Sequence, residues 1–171
     1  MKRAFSLLEI LWVILLIGIL SAFALPKFKA LTLHTDVSVL VSAYTHVKQN
    51  ATQVYQNLTA LEDVQPEDIR MDTLLSVTPL VPYDKNQAYT RTWTLKNYKK
   101  KSKSVLRYYI DPGNYIRFRY LLNGVIELRI SLYGPKKEEY KRSIEKQLGI
   151  VFYYNSKKEK WLYDEVIDMT N

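Results

Sequence analysis

Residues 5–25 read FSLLEILWVILLIGILSAFAL, an apolar stretch in which Glu9 is the single ionisable side chain. At about 1.5 Å per residue, a helix of this length measures about 30 Å, which matches the hydrocarbon core of a bilayer. A carboxylate in such a segment costs about 3 kcal/mol at the bilayer centre and less near the end, where Glu9 lies. The stretch therefore predicts a transmembrane helix, and Glu9 predicts a cationic partner from the same chain or a neighbouring one.

The residues flanking this stretch show a second pattern. A short basic stub, residues 1–4 (MKRA), ends in the small residue Ala4, directly before Phe5. In residues 1–28 the chain resembles the amino-terminal segment of type IV pilins and pseudopilins. The matching positions are Ala4, Phe5, Glu9, Gly18 and Pro26. The resemblance implies a leader peptide, residues 1–4, that a prepilin peptidase removes by cutting between Ala4 and Phe5, followed by methylation of the new amino group.

Cleavage at this position would create an ammonium group on Phe5, four residues before Glu9. Residues four apart share one face of a helix, so this pair can close within one chain or between staggered chains. The resemblance favours the intermolecular pair, and it implies assembly with other pilin-like subunits through the amino-terminal helix. The machine would be a type IV pilus, a type II secretion system or a DNA-uptake (competence) system. The missing cysteines and the missing glycine-rich loop favour a minor pilin or pseudopilin over a major pilin.

The resemblance also implies a location. The protein would sit in the inner (cytoplasmic) membrane as a single-pass protein in contact with its lipid. Its carboxy-terminal domain would lie outside the cytoplasm, in the periplasm, and would join a filament after assembly. Charge alone does not fix this orientation, because two basic residues lie close to each end of the apolar stretch.

Two other interpretations of residues 5–25 stay open. Residues 21–24 (SAFA) form a small-x-small motif that a signal peptidase could cut, although the apolar run exceeds the usual length of about 7 to 15 residues. The second interpretation is a plain membrane anchor in which Glu9 reaches the membrane surface and has no role in assembly.

Beyond the membrane segment, residues 26–61 predict the amphipathic, soluble half of the same helix. Apolar or small residues recur there in steps of three and four, which defines one buried stripe. Pro26 and Gly18 predict bends, because proline removes a helical hydrogen bond and glycine weakens a helix. The stripe consists of Ala30, Leu33, Val37, Leu40, Tyr44, Val47, Ala51, Val54, Leu58 and Leu61.

Residues 62–171 predict a small globular α+β domain. The expected fold class is therefore α+β, with a long kinked amino-terminal helix packed on a small antiparallel sheet, as in pilins. Alternating apolar residues between turn residues predict strands at 104–111, 115–122 and 125–133, and a final hairpin from 150–154 and 160–166. Helical patterns occupy residues 66–76 and 136–148.

The sequence predicts no enzyme, no cofactor and no metal site. It has no cysteine, and His34 and His46 are twelve residues apart, which does not bring two imidazoles to one metal. A group of acids lacks the loop spacing of a calcium site and fits helix ends better. These acids are Glu62, Asp63, Glu67 and Asp68.

The formal net charge is +8, and loss of two of the 25 basic residues with the leader leaves +6 against 17 acidic residues. The excess lies in three groups: Lys96, Lys99, Lys100, Lys101, Lys103 and Arg107; Lys136, Lys137, Lys141 and Arg142; Lys157, Lys158 and Lys160. Tyrosines interleave the first group, which makes DNA a candidate partner through phosphate contacts and base stacking. The candidate contacts are Lys99, Lys100, Lys101, Lys103 and Arg107. A solvated basic loop is the alternative, since no nucleic-acid-binding motif accompanies these residues.

The basic groups also support a function of a different class. In this alternative, the chain is a membrane-anchored binding module that never polymerises, and its basic face holds nucleic acid or a protein partner.

Overall fold

The computed structural model describes residues 7–62, 64–66, 68, 69, 71, 74, 80–97, 104–121 and 124–170. One long amino-terminal helix, α1 (Leu7–Ala60), and a seven-stranded sheet form an α+β arrangement, which confirms the predicted fold class. The chain divides into two compact units, Met1–Thr35 and Asp36–Asn171, and α1 contributes residues to both. The sheet and the hydrophobic core belong to the second unit.

In the first unit, α1 exposes almost all of its side chains. The helix continues through Pro26, so this proline does not end it. Gly18 lies inside the same helix, and a Cβ atom at this position would have no neighbour within 4 Å. The bends expected at Gly18 and Pro26 stay predictions.

In the second unit, α1 buries one side against the sheet. Five positions of the predicted stripe are buried: Val37, Leu40, Tyr44, Val47 and Ala51. Tyr55, which the stripe prediction omitted, is buried as well. Leu61 was predicted to end the stripe, but α1 ends at Ala60 and the Leu61 side chain is 79% exposed.

The sheet is mixed, with the strand order β1-β2-β3-β4-β5-β7-β6. The strands are β1 (Leu80–Pro82), β2 (Thr92–Asn97), β3 (Ser104–Asp111), β4 (Asn114–Leu121), β5 (Val125–Leu132), β6 (Tyr153–Asn155) and β7 (Lys160–Asp168). All neighbouring strands are antiparallel except β1 and β2, which are parallel. The predicted antiparallel pairing therefore holds from β2 to β7. Strand β1 adds a parallel edge because residues 83–91 carry the chain back along the sheet, so that β2 starts beside the first residue of β1.

Strands β3, β4 and β5 lie within one residue of the predicted strands, and β7 extends two residues beyond its prediction. The helix predicted at 136–148 is α2 (Lys137–Leu148), which ends at Gly149 in the left-handed conformation. Strands β1 and β2 were not predicted. The helix predicted at 66–76 lies largely outside the described residues.

The two faces of the sheet differ in chemistry. On β4, Phe118 is fully buried on the face that α1 covers, whereas Arg117 and Arg119 are half-buried on the opposite face. The Tyr44 ring of α1 contacts the Tyr163 ring of β7, so α1 covers the face on which Tyr163 lies. Tyr163 lies directly opposite Ile130 of β5, and Ile130 lies opposite Ile116 of β4, which shares its face with Phe118. The alternation along each strand therefore separates an apolar core from a face that is rich in arginine.

A polar contact joins α1 to β7 beside this core. The Glu165 carboxylate accepts hydrogen bonds from the hydroxyl of Tyr44 at 2.7 Å, the ammonium of Lys48 at 2.8 Å and the hydroxyl of Tyr163 at 3.0 Å. Burial alone would raise the pKa of the Glu165 carboxyl, but these three hydrogen bonds outweigh it and hold the pKa below its ordinary value. Burial and the bond to Glu165 raise the pKa of Tyr44 to about 12, so this hydroxyl keeps its proton.

Truncation of the helix stripe should destabilise the second unit. Leu40 is fully buried, and we expect Leu40→Ala to lower the free energy of unfolding by about 2 to 5 kcal/mol, since it removes apolar contact and leaves a cavity. Urea denaturation of the full chain in detergent measures this loss. Leu61→Ala on an exposed side chain is the matched control, and an equal loss in both variants would contradict the packing.

The Glu165 contact should depend on pH. The pKa of the Glu165 carboxyl is lower in the folded state than its ordinary value of about 4.5 in the unfolded state. The ionised carboxylate therefore stabilises the fold above about pH 4.5, and this contribution disappears as the pH falls through the pKa of the folded state. We therefore expect Glu165→Gln to be less stable than wild type at pH 7, with a difference that shrinks below about pH 4.5. Thermal unfolding between pH 3 and 7 tests this, with the exposed Glu62→Gln as control; a difference independent of pH would contradict it.

Candidate functional site

The first unit carries the apolar segment predicted to span a membrane. The best 18-residue window of α1 has a mean hydropathy of 2.5, and none of this window is buried. The helix is therefore long and apolar enough to be a candidate membrane span. Its exposed side chains include Leu7, Trp12, Leu16, Leu20 and Phe23.

Glu9 lies in the first turn of α1 and is exposed. An acid in this position is favoured by the positive end of the helix dipole. The predicted partner atom on Phe5 and the predicted cleavage position at Ala4 lie outside the described residues. Within the described residues Glu9 lies in the first turn of α1, and its role in assembly stays a prediction.

The lysines of the first basic group, Lys99, Lys100, Lys101 and Lys103, also lie outside the described residues. Arg107 of the same group is half-buried on β3. Its guanidinium donates a hydrogen bond to the Tyr109 hydroxyl at 2.9 Å and lies over the rings of Tyr83 and Tyr115, at 5.1 and 5.5 Å from their centroids. Burial acts to lower the pKa of Arg107, but the tyrosine contacts outweigh it and the pKa lies above its ordinary value.

Several lysines of the other two basic groups contact aromatic rings. Lys137 lies 5.2 Å from the centre of the Tyr154 ring, Lys141 4.7 Å from Trp161 and Lys160 5.5 Å from Tyr133. Lys141 also forms an ion pair with Glu145 at 2.9 Å. These contacts pack the lysine chains along the surface of the domain, where each cation stabilises local structure.

The arginines on the face of the sheet opposite α1 form a row that no local sequence pattern predicts. Arg107, Arg117 and Arg129 lie directly opposite one another on β3, β4 and β5. Arg129 binds the Asp164 carboxylate of β7 with two hydrogen bonds. Alternation did place Arg117 and Arg119 on one face, but the register that aligns three strands is not readable from a single sequence.

An open cleft of about 300 Å³ lies between the β3–β4 turn and the segment that precedes α2, lined in part by Asp111, Asn114 and Tyr133. Its polar groups are engaged in holding the turns together. The Asp111 carboxylate accepts hydrogen bonds from the Asn114 amide and the Gly113 backbone, and the Asn114 side chain accepts one from the backbone of Tyr133. The polar side chains that line the cleft are therefore used to stabilise these turns.

Among the described residues, no group of three His, Asp or Glu side chains is arranged to hold a metal ion. His34 and His46 are exposed on α1, and Glu62 and Asp68 are exposed beyond its end. The other two acids of that predicted group, Asp63 and Glu67, lie outside the described residues.

Comparison with family models, curated proteins and solved structures finds no match to this chain.

The membrane prediction can be tested with the tryptophans. Trp12 is 59% exposed within the apolar segment, whereas Trp93 and Trp161 belong to strands of the second unit. In vesicles of lipids with brominated acyl chains, we expect the bromine to quench the fluorescence of Trp12. The quenched component should therefore be absent from Trp12→Phe. Trp161→Phe is the control and should keep the quenched component; quenching that survives in Trp12→Phe would contradict insertion of this segment.

Proposed function

We propose that this chain is a pilin-like structural subunit, held in the inner membrane by residues 5–25 and assembled into a filament through α1. The filament would belong to a type IV pilus, a type II secretion system or a DNA-uptake system. Prepilin peptidase would release residues 1–4 and expose the amino group of Phe5. The carboxy-terminal domain would then lie outside the cytoplasm.

The observation that carries the proposal is the division of one continuous helix into two kinds of surface. From Leu7 to about Leu25, α1 exposes apolar side chains, and Glu9 is the one ionisable residue there. From Asp36 onwards, the same helix buries its apolar stripe in the domain. The exposed apolar part needs a lipid or protein environment, because an apolar patch of this size is not stable in water.

Glu9 explains why the environment would include other subunits. A carboxylate within an apolar segment gains most from a cation at hydrogen-bonding distance. The amino group created at Phe5 would be such a cation, and a pair between two chains would fix their axial register. Lipid alone offers no equivalent partner within the hydrocarbon, which favours the filament over the anchored module.

Amino-terminal sequencing of the protein isolated from cells tests the processing step. We expect the first residue to be Phe5 with a methylated amino group. A first residue of Met1 would contradict processing, and a first residue of Leu25 would indicate a secretory signal instead.

Glu9→Gln tests assembly, since it removes the charge and keeps the size of the side chain. The chain has no cysteine, so cysteine pairs such as Ile10→Cys with Ile17→Cys report contacts between neighbouring subunits alone. In cells that carry the assembly machine, we expect ladders of cross-linked multimers that Glu9→Gln abolishes without changing membrane insertion.

The matched control is Glu62→Gln, an equal change in charge at an exposed acid beyond the end of α1. This variant should keep the ladder. Cross-linking that is unaffected by Glu9→Gln would contradict the role of Glu9, and a complete absence of multimers from every cysteine pair would favour the membrane-anchored binding module.

A further inference from the structure

The face of the sheet opposite α1 carries an unusual alignment of charge. Arg107, Arg117 and Arg129 occupy one line across β3, β4 and β5, each directly opposite the next. Neighbouring strands are about 4.8 Å apart, so the three side chains start within about 10 Å. We refer to these three residues as the arginine row. Like charges directly opposite each other on a sheet are destabilising, so this alignment has an energetic cost.

Carboxylates neutralise part of this face. Arg129 pairs with Asp164, and Arg119, which lies beside the row on β4, pairs with Glu127 at 2.6 Å. Arg107 contacts tyrosines but forms no ion pair within the described residues. Arg117, at the centre of the row, has neither a hydrogen bond nor an ion pair from its side chain to any other described residue. The Asp164 carboxylate attracts Arg117 electrostatically, but among the described residues no carboxylate forms an ion pair with Arg107 or Arg117.

Buried polar atoms without a hydrogen-bond partner concentrate on the same face. The described residues contain five such side-chain atoms, and all of them belong to the arginine row and its neighbours. They are the Nε atoms of Arg107, Arg117 and Arg119, the Oγ1 atom of Thr94 and the Oγ atom of Ser131. Thr94 lies directly opposite Arg107, and Ser131 lies on β5 next but one to Arg129. Folded proteins rarely leave such atoms unpaired, and a cluster of them needs an explanation.

The electrostatics of Arg117 agree with this geometry. Burial lowers the pKa of the Arg117 guanidinium, and the positive charges of the neighbouring arginines lower it further. The Arg117 guanidinium nevertheless stays charged, because arginine does not lose its proton in proteins, so the repulsion between the neighbouring arginines persists in the folded protein. An anion bound to the guanidinium groups of Arg107 and Arg117 would reduce this repulsion.

We infer that the arginine row binds a phosphate group, seated between Arg107 and Arg117. A phosphate monoester carries a charge of about −1.5 to −2 at pH 7 and three acceptor oxygens, which suits two guanidinium groups that form no ion pair with a described carboxylate. The planar fork of arginine suits such an oxyanion because it donates two parallel hydrogen bonds. A carboxylate brings one charge and two oxygens, and it would leave part of the row unpaired. The inference does not depend on filament assembly.

Inorganic phosphate is the first probe, added to the full chain in non-ionic detergent at constant ionic strength. We expect phosphate to raise the melting temperature, and calorimetry to give a binding isotherm. Arg117→Met should weaken phosphate binding by about ten- to a hundredfold, as expected when hydrogen bonds to a charged group are lost. Arg142→Met, on the exposed face of α2, makes the same change in net charge and should bind phosphate like wild type.

Stability without phosphate gives a second readout. Arg117→Met removes a repelled, half-buried charge, so we expect this variant to melt at a higher temperature than wild type in phosphate-free buffer. A purely structural role for Arg117 predicts the opposite sign. If Arg117→Met does not fold, Arg117→Lys keeps the charge but loses the planar fork, and it should bind phosphate more weakly than wild type.

The source of the phosphate is resolved by two further titrations. A single-stranded oligonucleotide with and without a 5′-phosphate tests nucleic acid, and micelles with and without phosphatidate test a lipid headgroup. Whichever source is bound, the binding should depend on Arg117 and not on Arg142. Phosphate binding that is equal in wild type and Arg117→Met would overturn the inference. So would Arg117-dependent binding of polyglutamate by a protein that does not bind phosphate.

Discussion

The burial of the α1 stripe on the sheet is the interaction on which the second unit depends. A sheet with one apolar face needs a second layer, and the stripe from Val37 to Ala51 supplies it. The chain has no cysteine, so no disulfide can replace this packing. Side chains from the middle strands, such as Phe118 and Leu128, would otherwise face water. The contact of Glu165 with Tyr44 and Lys48 then adds a polar link between the same two layers.

The same helix carries two surfaces with different requirements. Near Asp36 its chemistry changes: the preceding segment exposes apolar side chains, and the following segment buries them. The proposed role in a filament rests on this change, since none of the described residues covers the exposed segment. The opposite face of the sheet has a different chemistry again, with paired and unpaired arginines beside tyrosines. Membrane attachment, domain folding and anion recognition would thus belong to separate surfaces of one short chain.

Local patterns were enough to predict much of the fold. Alternation between turn residues located β3, β4 and β5 within one residue, and steps of three and four identified the buried stripe of α1. Strand β1 was not predicted because it has three residues and lies between and at prolines. Strand β2 does alternate polar and apolar residues from Thr92 to Lys96, so its sequence carried a strand pattern that the prediction missed. Tyr55 lies four residues after Ala51 and fits the steps of three and four, but the prediction assigned Val54 to this turn of the stripe.

The candidate sites were less predictable than the fold. Glu9 stands out in sequence because an acid in an apolar run conflicts with its surroundings. The arginine row does not stand out, since its members are ten and twelve residues apart and meet through strand register alone. Register depends on turns and on long-range packing, and neither appears as a local motif.

The position of β7 has a consequence for the order of folding. This strand is the last in the chain, yet it lies between β5 and β6 in the sheet and carries Glu165. An exported chain that emerges with its amino terminus retained in the bilayer could form the meander of β3, β4 and β5 early. It could not join β6 to the sheet until β7 had also emerged. If the chain is exported as proposed, translocation and completion of the sheet would be coupled, and a chain interrupted before Lys160 would keep β5 as an unprotected edge.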